Sequence, residues 1–350
     1  MDRHRDLRRR SLCFVVGPQM RKNTFGFAVV GTGAIVDRFL DALSHVEGAR
    51  AVALFSRKEE TGNAFAARHG GLTVYTDYDR MLEDPAVHGV YIATPHFCHK
   101  EQTLRALRAG RHVLVEKSAA LTEADFREMR EEAERTGLVL LEAMRPDFDP
   151  AYDIVRKTLP ALGRIRRVSL VFCQYSSRYD AFRRGEVKNA FDPSIGNSAL
   201  LDIGVYPLHL CLSLFRMPEE MSARAVFLDN GFEAAGDLAL SYKSRGFLAT
   251  VSYSKVHNAM EASVIEGEDG ALRIDKLTEP KELRYVPRGK EPVTLPFAAE
   301  ENNMRFEIEA FLEMTEGKRS PTSYLDLTEA TLTLMDMASK TTSSILTEKV

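Results

Sequence analysis

The chain has no tryptophan and only four cysteines in 350 residues. Cys13, Cys98, Cys173 and Cys211 stand far apart, with no CxxC pair and no Cys/His pairing at zinc spacing. Neither a disulfide scaffold nor a metal site is expected, and so sparse a use of thiols suits a reducing, cytoplasmic setting. No apolar run approaches the ~20 residues that a membrane helix needs. Neither sign of charge dominates: 47 basic residues face 50 acidic ones, a net charge of −3. That balance leaves no electrostatic footprint for nucleic acid and no polybasic membrane patch over the body of the chain. Apolar residues at 44% and charged residues at 28% exclude fibrous and globally disordered chains. At ~100–200 residues per domain, two domains are expected.

One charge asymmetry stands out. Residues 1–22 carry seven basic side chains against Asp2 and Asp6, a net +5, so the remaining chain carries −8. Arg9-Arg10 ahead of Leu12–Val16 has the look of an export signal. Pro18 and then Arg21-Lys22 end the apolar stretch short of the ~7–15 residues that a signal core requires. A disordered tail, or a start upstream of Met20, is the plainer expectation.

From Phe25 short apolar runs alternate with segments of helical period. Phe25–Val30, Ala51–Phe55, Val74-Tyr75, Val90–Ala93, Val113–Val115 and Val139–Leu141 read as strands. Helices are expected over Ile35–Leu43, Glu59–His69, Lys100–Arg108 and Glu123–Arg135, the last capped by Thr122 and closed by Gly137. Such alternation means parallel pairing with right-handed crossovers, a doubly wound Rossmann sheet over residues 23–146. After Met144-Arg145-Pro146 the texture changes. Ile165–Tyr175 and successive strands from Ala223 to about Pro287 lack intervening helices, which indicates an antiparallel sheet. With mixed structure over Leu200–Phe215 and helices over Asn303–Glu316 and Leu325–Ser343, residues 147–350 read as an α+β domain.

Gly31-Thr32-Gly33-Ala34-Ile35-Val36 lies between the first strand and the first helix. Gly31 permits a tight turn, and Gly33 lets the backbone approach a pyrophosphate resting on the helix N-terminus. The bland alternative is a structural glycine turn. The second strand ends in Ser56-Arg57-Lys58 with no carboxylate to grip a ribose 2′-hydroxyl. A carboxylate would repel a 2′-phosphate, whereas this trio can donate to one, so NADP(H) is expected ahead of NAD. Thr94-Pro95-His96, with His99 beyond, follows the fourth strand, where open α/β sheets bind ligands; the two histidines are equally readable as packing groups.

Glu116-Lys117-Ser118 closes a buried apolar strand. Two charges there are costly unless used, and a lysine so placed can bind a substrate oxygen; a rim ion pair is the alternative. Desolvation is expected to lower the pKa of Lys117. On a regular helix Asp202, Tyr206 and His209 share one face, an acid/base constellation unless Asp202 is merely a cap beside two half-buried rings.

Together these residues resemble the glucose–fructose oxidoreductase/inositol dehydrogenase/rhizopine catabolism (Gfo/Idh/MocA) family, near its dimeric dihydrodiol dehydrogenase and NADP-dependent xylose dehydrogenase branch. The matching segments are Gly31–Val36, Thr94–His99, Glu116–Ser118 and Asp202–Tyr206. The resemblance implies a Rossmann domain followed by an open, mainly antiparallel sheet whose outer face makes a dimer or tetramer. It implies hydride transfer between NADP(H) and a sugar, polyol, cyclitol or dihydrodiol. The family lysine maps onto Lys117, its aspartate onto Asp202 and its proton-transferring residue onto Tyr206, with His209 a second candidate. Ser118 replaces the family proline, and Val36 its third small residue. A non-catalytic, cofactor-sensing regulator and a redox-neutral, NAD-retaining glycosidase are the alternative readings that the resemblance leaves. Arg178, Tyr179 and Arg183 are candidate substrate contacts.

Overall fold

The structure is a computed structural model, and it describes residues 24–187 and 189–347. The basic segment 1–22 lies outside the described residues. Six strands, β1 (Phe25–Val30), β2 (Ala49–Phe55), β3 (Thr73–Tyr75), β4 (Gly89–Ile92), β5 (His112–Glu116) and β6 (Leu140–Ala143), form one sheet in the order β3-β2-β1-β4-β5-β6. Every pairing in it is parallel. Strand order reverses between β1 and β4, which opens a crevice at the carboxyl ends of those strands.

Side chains alternate between the two faces of this sheet. Ala28, Val30, Val90, Ile92, Val113 and Val115 point to one core, and Phe27, Val29, Tyr91 and Leu114 to the other. The first face is covered by α3 (Tyr78–Glu83), α4 (His99–Arg108) and α5 (Glu123–Thr136). Thr122 caps α5 through the Asp125 amide at 3.1 Å, and Gly137 ends it at φ +68°. The short helix α3 is an addition to the elements expected from periodicity. The second face is covered by α1 (Ala34–Ser44) and α2 (Glu59–Arg68).

Those two helices do not cover the whole second face. α9 (Met304–Thr315) returns from far along the chain and sets Met304, Ile308, Phe311 and Met314 against Phe27 and Val29. The Phe311 ring lies 5.6 Å from Phe27 and edge-on to Phe25 at 6.1 Å. This C-terminal helix thus packs on the first sheet.

The second sheet has eight strands: β7 (Ile165–Cys173), β8 (Glu220–Phe227), β9 (Glu233–Tyr242), β10 (Phe247–Ser254), β11 (Ser263–Gly267), β12 (Gly270–Ile274), β13 (Leu283–Pro287) and β14 (Val293–Leu295). Their order is β14-β13-β12-β11-β7-β10-β9-β8, antiparallel except for the parallel β7/β10 pair. Its inner face packs on α8 (Val205–Phe215), which is buried nearly all round. In the chain α6 (Pro150–Thr158) precedes β7 and α7 (Tyr179–Arg183) follows it, and α10 (Thr322–Thr347) lies against α5, α8 and β8. No helix among the described residues is long and apolar enough to cross a membrane.

Candidate active site

The crevice at the reversal of strand order is a cleft of about 570 Å³. Gly31, Thr32 and Gly33 form one wall. Gly31 has φ +115°, and a Cβ there would stand 2.7 Å from the Ala93 carbonyl oxygen, so only glycine lets β1 turn under the end of β4. Gly33 has open space where a Cβ would point and caps α1 without any side-chain acceptor. The first-turn amides of α1, at Ala34 and Ile35, are therefore left for a bound anion. Ser56, Arg57, Lys58, Thr94, Pro95 and His96 line the same cleft. Ser56 Oγ donates to the Lys58 carbonyl at 2.9 Å, while Arg57 and Lys58 project into solvent. Val36, at the third small position of the motif, is buried without displacing the turn.

Two loops meet under this cleft. His96 Nε2 lies 3.2 Å from the Lys117 carbonyl, and burial, His99 and Lys117 push its pKa down to about 3. His99, expected as a cofactor contact, is fully buried instead. Its ring nitrogens lie 3.0 Å from the Ser118 carbonyl and 2.8 Å from that of Thr94, so it joins the two loops and does not face the cleft. Ser118 Oγ donates to Leu201 O at 2.9 Å, and the Ala119 amide donates to Glu142 at 2.8 Å. These contacts give the segment a fixed path where the family carries proline; the Lys117–Ser118 peptide is cis. Glu116 also departs from expectation. It turns inward, accepts a hydrogen bond from Tyr91 Oη, and has its carboxyl pushed up by burial.

Lys117, Asp202 and Tyr206 do come together. Lys117 Nζ is 3.0 Å from Asp202 Oδ1 and 5.1 Å from the centre of the Tyr206 ring. Burial opposes the charge on Lys117, but Asp202, Tyr206 and Glu116 together outweigh it and hold the amine above the ordinary lysine range. The lowered pKa expected from desolvation is thus reversed by an ion pair that the sequence did not reveal. Lys255, just past β10, places Nζ 2.7 Å from Asp202 Oδ2 and donates to Ala190 O at 2.8 Å. Two ammonium groups against burial hold the Asp202 carboxyl far below its usual range. Arg145 Nη2 lies 3.5 Å from Tyr206 Oη.

His209 is not part of this group. Residues Leu200–Gly204 form a π turn ahead of α8, and its extra residue breaks the α-helical phase between positions 202 and 209. His209 faces Asp147 Oδ2 at 2.8 Å and Thr331 Oγ1 at 3.2 Å, in the core. Of the candidate substrate contacts, Arg178 lines the cleft. Lys255 and Arg145 were missed by sequence reasoning. Both are charges at the end of a buried strand, the same signal that marked Lys117.

Comparison with known proteins bears on both halves. The Gfo/Idh/MocA model described as an oxidoreductase family with an NAD-binding Rossmann fold matches residues 25–144. The Gfo/Idh/MocA C-terminal domain model matches residues 160–273. The chain is 38% identical over 272 residues to the NADP(+) scyllo-inositol 2-dehydrogenase of Bacillus subtilis, covering 77% of this chain and 82% of that one. It is 28% identical over 261 residues to the trans-1,2-dihydrobenzene-1,2-diol dehydrogenase of Mus musculus, covering 73% and 76%. Among solved structures, a 3-ketoreductase from Actinomadura kijaniata in complex with NADP and TDP-benzene superposes with a TM-score of 0.82 at 24% identity, covering 91% of this chain and 98% of that one. That last likeness speaks to fold alone.

Proposed function

The chain belongs to the Gfo/Idh/MocA oxidoreductase family, and from that premise we propose that it is an NADP(H)-dependent enzyme acting on a CH–OH group. Its substrate is a sugar, polyol, cyclitol or trans-dihydrodiol, whose carbinol carbon exchanges hydride with the nicotinamide. One observation carries the reading: the Lys117 ammonium stands 5.1 Å from the Tyr206 ring at the carboxyl end of β5, beside the cleft.

A nicotinamide dinucleotide supplies the hydride acceptor or donor, and the residues present fit it. The glycine turn that tolerates no Cβ at Gly31, the uncapped α1 and the basic pair after Ser56 match a pyrophosphate and a 2′-phosphate. Tyr206 Oη takes the substrate's hydroxyl proton in oxidation and returns it in reduction. Lys117 binds the same oxygen and stabilises the phenolate. Asp202 fixes Lys117 by accepting from its ammonium.

Residues 23–146 hold the cofactor in this reading, and 147–350 supply the substrate wall and the assembly surface. The outer face of the second sheet presents Leu248 and Val226, 63% and 59% exposed, and a second copy would cover them. The test of function is optical. Aldoses, polyols, scyllo-inositol and trans-dihydrodiols are offered with NADP, and reduced nicotinamide is followed by absorbance. Net NADPH formation by the wild type and its loss in Tyr206→Phe support the reading. Turnover of a substrate without net NADPH, or full activity in Tyr206→Phe, contradicts it.

A further inference from the structure

We propose that Arg145 is a positioning residue for Tyr206, held by Glu279, so that the phenol has both a guanidinium and the Lys117 ammonium as neighbours. The proposal rests on Tyr206 being the proton-transferring group. Arg145 follows β6 and is nearly buried, with Nη2 3.5 Å from Tyr206 Oη and its guanidinium carbon 6.0 Å from the ring centre. Its other nitrogen, Nη1, donates to Glu279 Oε1 and lies 3.4 Å from Asn303 Oδ1. A buried guanidinium with three polar partners has little freedom to turn away.

The charges around it do not cancel. Glu279 Oε1 also accepts from Arg38 Nη2 of α1 at 2.6 Å, so one carboxylate serves two guanidinium groups and a positive charge remains. Burial pushes up the carboxyl of Glu116, one further acid near Arg145, and the other is Glu307 of α9. It is fully buried, and neither of its oxygens has a hydrogen-bond partner among the described residues. Burial and then Glu116 push its pKa well up, which disfavours the charged form that would neutralise Arg145. Around the Tyr206 ring itself stand Lys117 from β5, Arg145 from the β6 end and the edge of Phe172 from β7 at 5.6 Å, with Asp202 engaged by Lys117 and Lys255. A phenolate formed there meets two cations. In oxidation Tyr206 Oη, as phenolate, accepts the hydroxyl proton while the same substrate carbon loses hydride, so the negative charge on the phenol is removed in that step. Taking away a cation moves the rise of the oxidation rate to higher pH.

The experiment compares full-length wild type, Arg145→Met, Arg145→Lys, Glu279→Gln and Tyr206→Phe. Alcohol oxidation is read as kcat against pH with the panel substrate of highest turnover. Ultraviolet difference titration of tyrosinate, against Tyr206→Phe, reads the same ionisation without substrate, and NADPH fluorescence checks cofactor binding. Arg145→Met is expected to lower kcat about 10²-fold with a smaller change in KM. Its rising limb moves up by about one unit or more. Arg145→Lys returns the limb toward wild type, because the charge is restored, but recovers little of the rate. Glu279→Gln lowers kcat without moving the limb upward, because the guanidinium stays charged. A limb unmoved in Arg145→Met and Arg145→Lys, with Tyr206→Phe inactive, overturns the role of Arg145 and leaves that of Tyr206 standing. Activity retained in Tyr206→Phe overturns the reading beneath it.

Discussion

Lys255 Nζ lies 2.7 Å from Asp202 Oδ2, on the far side of the carboxylate from Lys117. Asp202 is thus a shared counter-ion, with one lysine on each oxygen. Asp202→Asn leaves two nearly buried ammonium groups without their acid. The expected loss of stability is about 2–4 kcal/mol in chemical denaturation, together with a fall in kcat. Asp202→Asn combined with Lys255→Met regains part of that stability, because one of the stranded charges is removed. Additive losses in the double variant would show that the two residues do not interact.

Two histidines under the cleft make stability depend on acid. His99 has its pKa pushed down to about 4 and His96 to about 3, burial being the first cause for both. An unfolded histidine protonates near 6.5, so below that pH the unfolded chain binds more protons than the native one. Their contribution is present above pH ~6.5 and is lost as pH falls toward the native values. Melting temperature should fall steeply over that window, and His99→Gln should make the fall shallower. Asp202 acts in the same direction at lower pH, because its native pKa is also depressed.

Cofactor choice tests the basic pair. Arg57→Ala with Lys58→Ala should raise the KM for NADP about tenfold and change that for NAD little, since only the 2′-phosphate is lost as a partner. Both side chains are exposed, so the effect should shrink at high salt. Equal changes for the two cofactors would contradict the assignment.

Packing of the returning helix is measurable by itself. Phe311 of α9 is fully buried against Phe25 and Phe27. Phe311→Ala should cost about 3–5 kcal/mol of unfolding free energy. It should also loosen the first sheet, seen as faster amide exchange in β1. A loss under about 1 kcal/mol would mean that α9 is not integral to that layer.

Much of this architecture is legible in the sequence because strand ends and helix faces leave local marks. Apolar runs closed by Glu116-Lys117 or by Thr94-Pro95 fall at carboxyl ends of β5 and β4, where a doubly wound sheet exposes its crevice. Partners distant along the chain leave no such mark. Lys255 meets Asp202 across more than fifty residues, and Glu279 meets both Arg38 and Arg145 across longer gaps. The amphipathic stripe of α9 would fit either sheet, so nothing local told that it returns to the first. His209 was misplaced by one π turn, a backbone irregularity that side-chain periodicity does not report. Glu116 and His99 carry polar groups that looked available until their buried partners were seen.

The pairing of Lys117 with Tyr206 is tested most directly by single-turnover kinetics of Lys117→Met, with reduced nicotinamide followed optically and NADPH binding measured in parallel. The expected result is binding within about twofold of wild type and hydride transfer slower by about 10²–10⁴. Hydride transfer at the wild-type rate in that variant would contradict the account.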